Sequence, residues 1–318
     1  MSDDEQWDTR RRAAQRSATR WLTNDRPPSA AELLAEIAAA APEEETQPDT
    51  YGTGPLVEGL ERRIVEELGT AGAVFLPSGT MGQQAVLRSW CDRVANPVVA
   101  LHALNHPLTY EDEALVRVQG LQPVQLAAGP RQPTVEDVER LREPVAVAVI
   151  ELPLRDAGYL LPTWDELVAL IDALHDTGAK VHLDGARLWE SSGHLGHTYA
   201  EIVALFDSAY VSFYKGLQAP AGAAVAGDRD LVEQVRLWQH RLGGTLFCSA
   251  PFVVAARHGL DVVLPRVPAR VAKAPEVAAA LTAAGLRVWP DPPHTNAFRV
   301  FVEAPADDVA HAVVEHAE

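Results

Sequence analysis

The chain predicts an α/β protein: a mostly parallel central sheet sandwiched by helices, followed by a small α+β segment. Three observations carry this. Between Ala73 and Ala226 short apolar runs alternate with helix-length amphipathic stretches. Several of these runs, Val145–Glu151 above all, are β-branched and apolar throughout, as strands covered on both faces are. After Leu264 the order changes to helix, strand, strand, helix, which reads as a separate smaller unit. The division expected is an N-terminal helical arm and linker over 1–50, a large domain over 51–260 and a small C-terminal α+β domain over 261–318.

The elements follow in order. Arg10–Trp21 reads as a basic, weakly amphipathic helix, either a solvated terminal helix or an arm that embraces a partner subunit. Ala30–Ala41 is a second helix, with Ser29 as N-cap. Pro42–Pro55 is a polar, extended link. Leu56, Leu60, Ile64 and Leu68 form a helical apolar stripe. Ala73–Pro77 is a buried strand, Ser78-Gly79-Thr80 a turn of small residues, and Met81–Trp90 a helix. Strand, small turn and helix start gather free backbone N–H groups that suit a phosphate. Thr80 with Gln83 equally fits a capping box.

Val98–Leu101 is the next strand, followed by His102, His106 and a helix over Thr109–Gln119. Val124–Leu126 is a minor strand, Thr134–Leu141 a helix and Val145–Glu151 a strand. Leu152–Leu161 reads as loop, and Trp164–Thr177 as a helix closed by Gly178. Val181–Leu183 is the strand before Asp184, Ala200–Ala204 a helix, and Ser208–Phe213 the strand before Lys215. Ala221–Ala226 is a strand of small residues. Asp230–Leu242, Pro251–Leu264 and Ala269–Ala284 are helices, Arg287–Trp289 and Asn296–Glu303 strands, and Ala306–His316 a helix.

Composition narrows the function classes. The chain has 318 residues, 47% of them hydrophobic and 22% charged, which is ample for a core. A net charge of -17 argues against non-specific binding to nucleic acid or anionic membrane. Cys91 and Cys248 make neither a disulfide framework nor a zinc pattern, and no metal site is expected. Met1–Glu5 is acidic with no apolar stretch behind it, so no signal peptide is expected. No run approaches the roughly 20 apolar residues of a membrane span. The location expected is cytoplasmic.

The chemistry is concentrated in 181–217. Two apolar strands there each deliver charge where they end: Asp184 and Arg187 after the first, Lys215 after the second. A lysine ending a buried strand needs a partner or a task. Held in an apolar, partly desolvated site, it loses its proton more easily and becomes a nucleophilic amine. With an aspartate placed to meet a ring nitrogen, it forms the protein side of pyridoxal phosphate chemistry.

These motifs resemble those of the threonine aldolase/β-eliminating lyase family, within the aspartate-aminotransferase-like (fold-type I) pyridoxal phosphate enzymes. The similar segments are Phe75–Gly82, His106 through Tyr110-Glu111, His182–Arg187 and Lys215-Gly216-Leu217 with Gly227-Asp228-Arg229, and they cover roughly 51–260 in matching order and spacing. The resemblance implies roles by position. Lys215 would hold the cofactor aldehyde as a Schiff base, Asp184 would pair with the pyridine nitrogen, and His106 would stack on the ring. Ser78, Gly79 and Thr80 would hold the phosphate. Arg187 would lie by the cofactor's oxygen side, bind it there and help to fix the substrate carboxylate. The implied activity is aldol-type cleavage of a β-hydroxy-α-amino acid to glycine and an aldehyde. Elimination or racemisation of an amino acid, or cofactor binding without turnover, are the alternatives. The implied assembly is a homodimer or homotetramer with the site at the subunit interface.

The chain departs from the family in places. The family's opening Arg-Ser-Asp-Thr motif is missing, and Ala18-Thr19-Arg20-Trp21 lies in that region. Around the Gly243-Gly244 turn, where basic residues serve the phosphate across the subunit boundary, Arg241 is the candidate and Phe247 stands where an arginine is expected. The Thr-Asn motif is present as Thr295-Asn296, but the later strand and arginine that clamp the substrate carboxylate are not found before Glu318. Arg187 and Arg299 are the candidates for that task.

Overall fold

The computed structural model describes residues 3–19, 28–42 and 47–317. Seven strands form one sheet: β1 (Gly72–Leu76), β2 (Val98–His102), β3 (Gln122–Ala127), β4 (Val147–Glu151), β5 (Lys180–Gly185), β6 (Ser208–Ser212) and β7 (Ala223–Gly227). Their order across the sheet is β1-β7-β6-β5-β4-β2-β3. The five from β6 to β3 are parallel, and β7 runs antiparallel to both its neighbours. The mostly parallel, helix-covered sheet expected from the alternation is the fold observed.

The strands are apolar throughout because both sheet faces are buried. Val147 and Val149 of β4 pack with Val74, Leu101 and Val86 on one face. Ala148 and Ile150 pack with Leu60, Ile64 and Phe213 on the other. Helix Pro55–Leu68 covers that second face with the stripe Leu56, Leu60, Ile64 and Leu68, all buried. It ends where Gly69 takes a left-handed φ of 65°. Helix Gly79–Val94 covers the first face close to the backbone, with Gly82 against Tyr210 and Val225.

Four expectations need correction. The helix expected over Thr109–Gln119 is two short turns, His106–Thr109 and Ala114–Arg117. Asp112 and Glu113 separate them at φ 47° and 59°, a backbone that no right-handed helix accepts. The helices expected to be separate, Pro251–Leu264 and Ala269–Ala284, form a nearly continuous helical run from Ala250 to Ala283. A wider π-type turn, Gly259–Val263, joins them where Gly259 packs against the backbone of Leu217. The strand expected over Asn296–Glu303 shortens to β9 (Arg299–Phe301), which pairs antiparallel with β8 (Arg287–Trp289). The Thr295 hydroxyl bonds the amide and the carbonyl of Ala297, which competes with a ladder there.

The first helix spans Asp3–Ser17 and starts earlier than expected; Arg20 and Trp21 lie outside the described residues. It is not solvated on all sides. Trp7 stacks on His311 of helix Ala306–Ala317 with ring centroids 4.2 Å apart. Among the described residues no helix is long and apolar enough to cross a membrane.

Candidate active site

The reversal of β7 brings the candidate residues together. β7 lies between β1 and β6, and its Ala223 is level with Leu76 on one side and Ser212 on the other. The turn after β1, with Gly79 and Thr80, and the segment after β6, with Lys215, therefore leave the sheet at the same edge. β5 ends there with Asp184-Gly185, β4 with Glu151, and β2 leads into His106. In open α/β sheets this carboxyl edge is where ligands bind. Gly79, Thr80, His106, Asp184 and Lys215 line one narrow cleft, as the sequence predicts. Gln83, Glu111, Ala186, Tyr210 and Tyr214 complete it.

The cleft gathers carboxyl groups around the Lys215 amine. Asp184 is 1% exposed, and its Oδ1 accepts from the Ala186 amide at 3.2 Å. Burial raises its pKa, while the Lys215 ammonium pulls it back. Glu151 stands beside it, its carboxyl pushed up to about 8 by burial and then by the Asp184 charge. The lysine was expected in an apolar setting. Instead it is half-buried and its field is felt by Asp184 and Glu151, because the strand ends that present it also present carboxylates.

His106 enters the cleft from the loop after β2. Its backbone N–H donates to Glu151 Oε2 at 3.1 Å, and its Nδ1 lies 3.3 Å from Glu111 Oε1. The Asn105 amide donates to the same Glu151 oxygen at 2.9 Å, and the Arg155 N–H to the other at 3.1 Å. One buried carboxyl group thus ties two loops to the sheet edge.

At the start of helix Gly79–Val94 the capping box expected of Thr80 and Gln83 is absent. Ser78 is the N-cap and makes no side-chain cap bond, and Gln83 Oε1 is engaged 3.2 Å from His182 Nε2. The first amides of the helix therefore keep their capacity for an anion. A Cβ on Gly79 would collide with the hydroxyls of Tyr210 and Tyr214. These two phenols therefore reach the helix start, and burial holds the Tyr210 hydroxyl protonated as a donor.

This donor set fits pyridoxal phosphate. An amine, a buried carboxylate and an imidazole surround a space beside a helix start with hydroxyl donors. Gln83 Nε2 and Glu111 Oε2, buried side-chain atoms of residues that line the cleft, have no partner among the described residues. Ser78 sits at the same helix start.

Three expected residues are not among those lining the cleft: Ser78, at the helix start beside it, Arg187 and Arg241. Arg187 follows the cleft residue Ala186: its Nη1 is 3.4 Å from Glu190 Oε1, and the guanidinium sits 5.4 Å from the Tyr159 ring centroid. Arg241 is on the outer surface, 4.7 Å from the Trp238 ring centroid, and does not reach the cleft of its own chain. Among the histidines, His182 is wholly buried between Ser208 and Gln83 and supports the sheet, and burial lowers its pKa to about 3. His102 is also buried, with Nδ1 accepting from the Leu104 amide at 3.0 Å; it is not a cleft residue.

Glu151, Glu111, Tyr210 and Tyr214 escaped the sequence reading. The signal for Glu151 was present: a carboxylate closing a fully apolar strand demands a partner as much as Lys215 does.

Comparisons with known proteins give the chain's family. A family model described as β-eliminating lyase matches residues 29–305. The solved structure of a provisionally assigned L-allo-threonine aldolase from Listeria monocytogenes superposes with a TM-score of 0.92 at 34% identity, covering 97% of this chain and 86% of that one. Aldolase vrtJ of Penicillium aethiopicum is 30% identical over 72% of this chain and 60% of its own. Low-specificity L-threonine aldolase 1 of Arabidopsis thaliana is 29% identical over 70% of this chain and 65% of its own. The match thus spans less than two thirds of these two curated relatives.

Proposed function

The chain belongs to the β-eliminating lyase family, and on that premise we propose that it is a pyridoxal-phosphate-dependent lyase that cleaves the Cα–Cβ bond of a β-hydroxy-α-amino acid, giving glycine and an aldehyde. The observation that carries this is the meeting of Lys215 and Asp184 in one cleft with the open helix start at Gly79. Bound there, the cofactor supplies an aldehyde for an amine and a protonated ring that accepts the electron pair left when a bond to Cα breaks.

The chain's own residues have the following tasks. The Lys215 amine holds the aldehyde. The Asp184 carboxylate keeps the ring nitrogen protonated, and that cation in turn offsets its burial. The His106 ring, which lines the cleft, would lie against the cofactor ring. The amides at Gly79 and Thr80, with the Thr80 hydroxyl and the phenols of Tyr210 and Tyr214, bind the phosphate. Ser78 positions this turn. Arg187 offers its fork to the substrate α-carboxylate. The proton of the β-hydroxyl passes to His106 Nε2, directly or through a water, while Glu111 holds Nδ1.

The assembly proposed is at least a homodimer, in which Arg241 serves the phosphate of the partner's site. Tyr51 and Phe247, 61% and 68% exposed, pack edge to face and offer an aromatic surface for a second copy. The proposed location is cytoplasmic, in line with the free thiols of Cys91 and Cys248.

The test is direct. The protein loaded with pyridoxal phosphate is given L-threonine, L-allo-threonine and phenylserine, and glycine and aldehyde are measured. The near-ultraviolet to visible absorption of the bound cofactor should disappear in Lys215→Ala together with turnover. Pyruvate and ammonia from serine, with no glycine from any β-hydroxy amino acid, would overturn the reading.

A further inference from the structure

A groove of about 430 Å³ lies outside the cofactor cleft. Its walls are Arg155, Asp156 and Tyr159 from the loop after β4, and Phe298, Arg299 and Phe301 from β9 and its approach. One end of that loop is linked to the cleft through Tyr110, and the other to Arg187 beside it. The Arg155 guanidinium lies 5.0 Å from the Tyr110 ring centroid, and the Tyr110 ring is 5.3 Å from that of His106, a cleft residue. The Tyr159 ring carries the Arg187 guanidinium. Tyr159 is held at φ 62°, a backbone that a bulky residue seldom adopts and that tends to mark functional segments.

The charge in this groove is one-sided. Arg155 Nη1 and Arg299 Nη2 each stand 3.4 Å from the same oxygen, Asp156 Oδ1. One carboxylate serves two guanidiniums, both at a distance beyond a good charge-assisted bond. Both side chains remain open to solvent, at 42% and 46% exposure. In a chain of net charge -17 this is a local inversion of sign.

We infer that the groove is a subsite for a second acidic group on the substrate. The substrate class is then the β-hydroxy-α-amino acids whose side chain ends in a carboxylate, with 3-hydroxyaspartate as the smallest member. Arg187 takes the α-carboxylate beside the cleft, and Arg155 with Arg299 takes the distal one. This rests on the aldolase reading for the bond that breaks. For 3-hydroxyaspartate the Cα–Cβ bond breaks, the β-hydroxyl loses its proton as its carbon becomes a carbonyl, and Cα gains a proton. The products are glycine and glyoxylate, and no oxidant or reductant is needed.

Two measurements on the cofactor-loaded protein test the inference. In calorimetric titration aspartate, which lacks a β-hydroxyl, is compared with asparagine, its near-isosteric neutral amide. Aspartate should bind at least about 10-fold tighter, and in the double variant Arg155→Gln/Arg299→Gln the difference should shrink to within about 3-fold, since 1.4 kcal/mol is tenfold in affinity. Arg63→Gln, a surface pair on another face, should keep it. Equal binding of the two ligands to the unaltered protein, or a preference that survives the double variant, overturns the subsite. Turnover separates the two readings. If the aspartate preference is present but no β-hydroxy amino acid is cleaved, the subsite stands and the aldolase reading falls. If threonine is cleaved and 3-hydroxyaspartate is no better in kcat/KM, the subsite falls and the aldolase reading stands.

Discussion

Glu151 and Asp184 stand opposite each other at the ends of neighbouring parallel strands, and both carboxyl groups are buried. Two carboxylates at that spacing cannot both ionise cheaply in a dry site, and Lys215 is the cation whose field reaches both. Cofactor binding that ties up this amine and brings a ring cation to Asp184 therefore rearranges the charge of the whole sheet edge.

The first prediction concerns pH. A carboxyl held near 8 in the fold and near 4.5 when unfolded binds a proton on folding. Stability from that group is full below the unfolded value and is lost as pH rises toward 8. Glu190, pushed up to about 7, has the same sign. His182 and His294, lowered to about 3 and about 4, have the opposite sign but act only below their ordinary value of 6.5. Between pH 7 and 8 Glu151 contributes to this slope together with its neighbour Asp184, whose pKa burial also raises. Urea unfolding of the cofactor-free protein should show a loss of about 1 kcal/mol or more over that unit, and Glu151→Gln should reduce it. An unchanged slope in Glu151→Gln would refute the assignment.

Gly79→Ala should damage the phosphate cradle. Its methyl would meet the hydroxyls of Tyr210 and Tyr214, and Tyr210 has no room to retreat at 2% exposure. Affinity for pyridoxal phosphate should fall by about tenfold or more, equivalent to about 1.4 kcal/mol. Equilibrium dialysis of the cofactor would show it. Gly59→Ala, in helix Pro55–Leu68 with only ordinary contacts at 3.8 Å, serves as the comparison.

His182→Ala should act on stability. The imidazole fills a closed site and bonds Ser208 and Gln83, so its loss leaves a cavity and an unpaired buried Gln83 oxygen. A cost of about 2–4 kcal/mol follows from these two effects. Denaturant titration should register that cost while KM for the amino acid stays close to the original value.

Arg187→Lys should separate charge from shape. The lysine keeps the positive charge but loses the planar fork and the contact with the Tyr159 ring. A fall in kcat/KM of about 10- to 100-fold, mostly through KM, is expected from initial-rate kinetics, with the cofactor absorption retained.

Much of this architecture was legible locally. The stripe of helix Pro55–Leu68 and the apolar run of β4 are patterns within one segment, so period and β-branching identify them directly. The break between His106–Thr109 and Ala114–Arg117 was not legible, because the inward turn of Glu111 toward His106 overrides a helical sequence pattern. Arg241 illustrates the same limit, since its place on the outer surface depends on how helix Arg229–Arg241 lies on the sheet.

The sequence by itself determined the fold class, the family and the pair Asp184–Lys215, since each is written in short contiguous motifs whose chemistry is local. The tertiary structure alone decided that Glu151, Glu111, Tyr210 and Tyr214 join that pair, and that Arg155 and Arg299 share one aspartate beside it. The physical reason is the sheet order. β7 runs backward between β1 and β6, and β4 lies next to β5, so residues distant in the chain end at one edge, where burial turns ordinary carboxyls and phenols into a site.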